Sequence, residues 1–296
     1  MILIYIALLG FRGRVAVYFL MGKEAVWKVI SRLAEMPHER SSWDSQTSLR
    51  RDLVDFYRMV QLDNPLPEAD LPLFCTDEAR TKALLNLYSK ENGGNFEALK
   101  ARPMEPRIQN QIESKIIRSL SGWKVLEPDL AKIFDVVVHT LFFQASEGYG
   151  GGSLASALGV IWVGENEHWE GKDWQEFLLH ELTHQLLFLD AYLEMHFDNW
   201  DALVLSDSQV YSAILKRPRP FHLAYHGLFV VYEVLSFRRL LGEPAEPKVH
   251  APSAELLPEA LKSAAHLAEV DGQRNLMTKR SRFLLARVTE GLQALQ

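Results

Sequence analysis

The sequence predicts an α+β fold, predominantly helical, with a small sheet beside one central helix. Three observations predict it. Apolar residues recur at three- and four-residue spacing over most of the chain. Two short stretches, residues 135–143 (DVVVHTLFF) and 158–163 (LGVIWV), are instead dense in β-branched and aromatic residues. A glycine-rich loop separates them, and the most sharply bounded helical stretch follows. Four segments are expected: an N-terminal extension at 1–20, a helical region at 21–128, a central core at 129–245, and a helical tail at 246–296 packed on that core.

In the helical region, residues 25–34 and 49–60 show helical periodicity, residues 63–67 (DNPLP) break it, and residues 76–88 form a helix ended by 91–95 (ENGGN). Residues 107–120 form another. Periodicity alone leaves 135–143 either a strand or the end of a buried helix starting near Asp129. The loop GYGGGS at 148–153 leads to a strand at 158–163. Residues 174–192 form the next helix, with Asp173 as cap and Glu176 at its third position, a capping box with Asp in the Ser/Thr place. Residues 221–241 form a second long helix, entered at Pro220 and stopped by Gly242 and Pro244. The tail holds helices at about 258–270 and 275–295.

Composition excludes several classes. The chain has 296 residues, 48% hydrophobic and 24% charged, close to the globular average and unlike a disordered or collagenous protein. A net charge of −6 without a long basic run argues against nucleic acid as a partner. With Cys75 alone, neither an intramolecular disulfide nor a thiolate metal cluster can form, and a reducing, cytoplasmic setting is expected. Residues 1–11 are apolar, but too few to span a bilayer as a helix, and Arg12 and Arg14 follow that run where a secretory signal places its charge ahead. Three readings stay open there: an extension ahead of a natural start at Met21, a strand or hairpin turning near 10–13, and a membrane or export role. The reading adopted for the chain is no membrane partner.

The chemistry is concentrated in His180-Glu181-Leu182-Thr183-His184, an H-E-x-x-H motif. Residues four apart share a helix face, so both imidazoles can reach one metal ion, with Glu181 beside it to polarise a bound water. Phe177, Leu178, Leu186 and Leu187 make the surroundings apolar, where two histidines and a glutamate are costly without partners. The fold expected around such a helix is a zincin-like core. For the third ligand, His226 on the next helix stands first, and Glu233, His222 and Asp190 are the alternatives. Leu187 stands where the metzincin pattern has glycine, and Phe237 stands where thermolysin-like peptidases carry an acid four residues beyond their glutamate ligand.

Over residues 129–241 the sequence resembles the HExxH-containing peptide-modification proteins of ribosomal peptide natural-product pathways, also described as 2-oxoglutarate-dependent peptide β-hydroxylases. The elements are the loop ending at Ser153, the strand GVIW, the motif LLHELTHQLL and the later RPRPFHLAYHGLFV. The first half of the chain carries no such signature. The resemblance implies Fe(II) held by His180, His184 and His226, with 2-oxoglutarate as cosubstrate and a precursor peptide as substrate. The three-ligand site leaves open positions for the 2-oxo acid and O₂. Arg219 or Arg217 would take the distal carboxylate through a bidentate fork. Glu181 has no required role as a base in that chemistry. Two other readings stand beside it. One is a zinc metallopeptidase with Glu181 as general base; the other is a binding protein with a structural metal. The strand at 158–163 is expected at the sheet edge, where a substrate peptide could pair with it.

Overall fold

A computed structural model describes residues 20, 22–38, 42–63, 73–75, 77–91, 102–146 and 150–296. The expectations for 1–19, for the turn at 64–67, for 92–95 and for the start of the glycine loop at 148–149 lie outside the described residues. The structure is predominantly helical with a small mixed sheet. In chain order the elements are α1 (Lys23–Glu35), α2 (Gln46–Val60), β1 (Leu73–Cys75), α3 (Glu78–Glu91), α4 (Pro106–Leu126), α5 (Pro128–Val137), β2 (Thr140–Phe143), β3 (Gly151–Gly152), β4 (Val160–Val163) and α6 (Gly171–Leu193). After α6 come two short 3₁₀ turns, then β5 (Gln209–Ser212), β6 (Arg217–Pro220), α7 (Phe221–Leu241), α8 (Ser253–Arg274) and α9 (Lys279–Gln293).

The ambiguous stretch at 135–143 is both things in succession. Helix α5 ends at Val137, and β2 begins at Thr140. The sheet runs β1-β2-β4-β3, with β1, β2 and β4 parallel and β3 antiparallel at the end. Strand β4 is therefore interior, with β2 on one side and β3 on the other, and the expectation that it forms the edge is corrected. Its VIWV sequence gives the physical reason: every residue is buried, as in a strand covered on both faces. Leu141, Phe143, Ile161 and Val163 point into a core with Trp123, Phe134 and Trp174. The alternate residues Phe142, Val160 and Trp162 pack with Cys75, Leu84 and Tyr88 from β1 and α3.

Gly151 fits β3 because its φ is +146° and a Cβ there would lie 2.4 Å from the Trp162 carbonyl oxygen. Gly159, at φ +75°, donates its N–H to Gln185 Oε1 (2.9 Å), and Gln185 Nε2 returns a bond to the Val160 carbonyl (3.0 Å). Gln185 thus fastens the start of β4 to the residue next to His184.

Helix α6 begins three residues earlier than expected. Asp173 Oδ2 accepts the Glu170 N–H (3.0 Å), so the box is Glu170/Asp173 rather than Asp173/Glu176. Glu176 is drawn inward to an arginine and a histidine, described below. Helix α7 covers the predicted 221–241, with Gly242 at φ +82° ending it. Helix α8 starts ahead of Pro258, which lies inside it.

A second core gathers Leu203, Val210, Phe221, Tyr225, Leu228 and Val231 with apolar residues of α8 and α9. Most of α6 faces the first core and most of α7 the second, so the two helices form the seam between them. Among the described residues no helix is long and apolar enough to cross a membrane.

Candidate metal centre

Leu178, Leu182 and Leu189 root α6 in the first core. The stripe His180, His184, Phe188, spaced four apart, is only partly buried. The two predicted ligands converge there. His180 Nε2 lies 3.1 Å from His184 Nε2, with ring centroids 4.9 Å apart. Burial, with His184 and His250 nearby, holds His180 well below the usual imidazole range. Burial and the Arg219 charge bring His184 down to about 4. Both rings are therefore neutral at pH 7, the form a metal ion binds.

Glu181 is buried beside the pair, its Oε1 3.9 Å from His180 Nε2. Its Oε2 and the Ser153 Oγ are both buried, the hydroxyl close to the carboxyl. Burial pushes the carboxyl up to about 8, with the Ser153 hydroxyl opposing the shift. Ser153 arrives from the glycine loop directly after β3.

His226 is buried on α7 and lies nearly parallel to His184, at 5.8 Å between centroids and 19° between planes, and against Phe188 at 5.2 Å. His180, His184 and His226 do not bring one nitrogen each within 4.8 Å of one another. Among the described residues the group that does is His38, Asp52 and Asp55, near the first two helices. His222, one turn ahead of His226, packs against Trp200 at 5.8 Å, and burial with the Arg219 charge lowers it to about 4. Arg219 is half-buried at the end of β6, and Arg217 is exposed at the strand's start.

The two acidic alternatives lie elsewhere. Asp190 is buried between Arg280 (Nη2 to Oδ1, 2.7 Å) and His196 (Nε2 to Oδ2, 2.8 Å). Glu233 is buried; desolvation raises it well above the usual carboxylate range, against a hydrogen bond with the Leu20 backbone. Neither belongs to the histidine group.

Three residues that the sequence reading did not connect to the site are joined to it. His250 Nε2 is 2.8 Å from His180 Nδ1, and His250 Nδ1 is 2.7 Å from Glu176 Oε1. Arg238 donates from Nε to Glu176 Oε2 and from Nη2 to Oε1, each at 2.8 Å. All three side chains are almost fully buried. One signal was available: Glu176 sits four residues ahead of His180, on the same helical stripe. His250, seventy positions beyond His180, has no local pattern to mark it.

Comparison of the chain with protein-family models and with curated proteins returned no match.

Proposed function

We propose that the chain is an Fe(II)- and 2-oxoglutarate-dependent hydroxylase acting at the β-carbon of a residue in a ribosomally made peptide. The observation that carries the reading is the convergence of His180 Nε2 and His184 Nε2, 3.1 Å apart, on the partly open stripe of α6. Two neutral imidazoles with their Nε2 atoms 3.1 Å apart, beside the buried carboxyl of Glu181, suit a divalent cation. His180 and His184 would hold it, and His226, whose ring centroid is 5.8 Å from that of His184, would have to draw closer to complete the set. Fe(II) with 2-oxoglutarate supplies the oxidising power to insert an oxygen atom from O₂ into an unactivated C–H bond, releasing succinate and CO₂.

The chain's own residues have separable tasks in this reading. Arg219 lies close enough to His184 to act on it electrostatically, and its fork suits the distal carboxylate of a 2-oxo acid. Glu181, raised to about 8, holds a proton at neutral pH and can donate a hydrogen bond to a bound oxygen ligand. The apolar flanks of α6 exclude water from the rest of the helix. Strand β3, at the end of the sheet nearest Ser153, offers a backbone edge to an extended peptide. Buried Cys75 suits a reducing, cytoplasmic setting.

One observation favours a second reading. A carboxyl shifted to about 8, 3.9 Å from a ligand nitrogen, is tuned as a general base, as in a zinc metallopeptidase. Protein purified without oxygen separates the two. The hydroxylase reading expects succinate formation that requires Fe(II), O₂ and peptide together. Peptide cleavage with Zn(II), and no turnover with iron, replaces it with the peptidase. The variant His226→Ala should lose metal on dialysis; full metal content in that variant removes His226 from the ligand set.

A further inference from the structure

Resting on the metal reading, we propose that His250, backed by Glu176 and Arg238, is the positioning residue that sets the tautomer of His180 and aims its Nε2 lone pair at the metal. One chain of hydrogen bonds runs from Arg238 through Glu176 and His250 to His180. Arg238 Nε and Nη2 donate to the two oxygens of Glu176. Arg238 Nη1 is satisfied by Glu243 Oε1 (2.9 Å) and the Ala251 carbonyl (2.8 Å). The carboxylate can only accept, so His250 donates its Nδ1–H to Glu176 Oε1. Seating a metal ion on His180 Nε2 requires the ring proton of His180 on Nδ1, and His250 Nε2, 2.8 Å away, is placed to accept it. His180 Nε2 is left bare, facing His184 Nε2.

The geometry is that of an in-line contact. The His180 and His250 planes differ by 19° and their centroids are 4.9 Å apart, with the 2.8 Å nitrogen contact joining the rings edge to edge. Metal-binding imidazoles are oriented in this way by a partner at the other ring nitrogen. Here the carboxylate acts through a second histidine. That placement keeps the charge of Glu176 buried beside Arg238, one helical turn away from the open histidines.

The test uses the full chain, Co(II) as the metal probe, and nitrogen-15 histidine spectra of metal-free protein. In wild type, His180 should carry its proton on Nδ1 and show a bare Nε2, and Co(II) should bind. His250→Ala should weaken Co(II) binding roughly 10–100-fold with a cooperative melt retained. His250→Gln, whose carbonyl can accept the His180 Nδ1–H, should recover most of that loss. A His180 proton found on Nε2 in wild type, or equal Co(II) affinity in folded His250→Ala, overturns the proposal while leaving the metal reading intact. Wild-type protein that binds no Co(II) overturns the metal reading and the purpose assigned to His250 with it. If His250→Ala does not fold, the wild-type tautomer and the His250→Gln affinity decide.

Discussion

Helix α6 carries a buried carboxylate near each end, and each is gripped by an arginine and a histidine from later in the chain. Near its start, Glu176 takes both nitrogens of the Arg238 fork and His250 Nδ1. Near its end, Asp190 takes Arg280 Nε (3.0 Å) and Nη2 (2.7 Å) and His196 Nε2 (2.8 Å). In both, burial favours the neutral acid, but hydrogen bonds from the histidine and the arginine win and hold the carboxyl below its ordinary value. The difference lies at the histidine's other nitrogen. His250 passes its second nitrogen to His180, whereas His196 Nδ1 is buried without a partner among the described residues, its ring against Phe197 and Tyr225. The same chemistry is a clamp at one end and a clamp with a functional extension at the other.

The largest expected effects come from removing the carboxylates. Glu176→Ala takes from the buried Arg238 the carboxylate that holds its Nε and Nη2, leaving Glu243 on Nη1, and Asp190→Ala takes the paired carboxylate from Arg280. Breaking a buried pair from one side costs about 3–5 kcal/mol, read as the shift in urea unfolding. Arg280 retains 25% side-chain exposure against 2% for Arg238, so Asp190→Ala should be the milder change. Equal losses, or a larger one for Asp190→Ala, would mean that the exposure of the stranded cation does not set the cost.

Next in size is the split in metal affinity. Folded His196→Ala should bind Co(II) as wild type does, whereas His250→Ala should lose roughly 10–100-fold. Weakened Co(II) binding in His196→Ala would erase the distinction between the two clamps. Arg219→Ala should raise the 2-oxoglutarate concentration needed for half-maximal succinate formation by roughly 10–100-fold. That follows from losing a charge-assisted hydrogen bond of about 1.5–3 kcal/mol. An unchanged requirement would leave Arg219 as a charge near His184 with no part in holding the cosubstrate.

The same helix shows how far a sequence can be read. His180 and His184 were legible because a four-residue step on a helix is a local rule, and the structure sets their Nε2 atoms 3.1 Å apart. Helix α7 was legible to the residue because Pro220 and Gly242 punctuate it. Strand β1 was not, since Leu73–Cys75 is too short to show an alternating pattern. Glu176 was misassigned for a physical reason. An acid at the third position of a helix suits a cap, and Asp173 satisfies the same local rule three residues earlier. Only the long-range partners Arg238 and His250 distinguish the two. Partners 62 and 74 residues away in sequence leave no local mark.

Glu181, another buried carboxyl on this helix, lacks an arginine and so sharpens the comparison in the opposite direction. Unfolded, it releases its proton near 4.5; folded, burial makes it hold the proton until about 8. Between those values the folded chain binds more protons than the unfolded one, so stability falls as pH rises. Below about 6.5 His139, His180, His184, His222 and His226 act against this trend, because the unfolded chain protonates them and the folded chain resists. The clean window is therefore pH 6.5 to 8, where Glu181 and the similarly raised Glu233 act together. Chelator-treated protein should lose stability across that window, with a slope of up to about 1.4 kcal/mol per pH unit for each such group. Glu181→Gln should flatten the slope by its share. Glu176→Gln and Asp190→Gln should leave the slope unaltered, because their ionisation lies below the window. A slope in Glu181→Gln equal to that of wild type would show that Glu181 is ionised throughout, and that its buried oxygen finds a partner which Glu176 and Asp190 obtain from arginine.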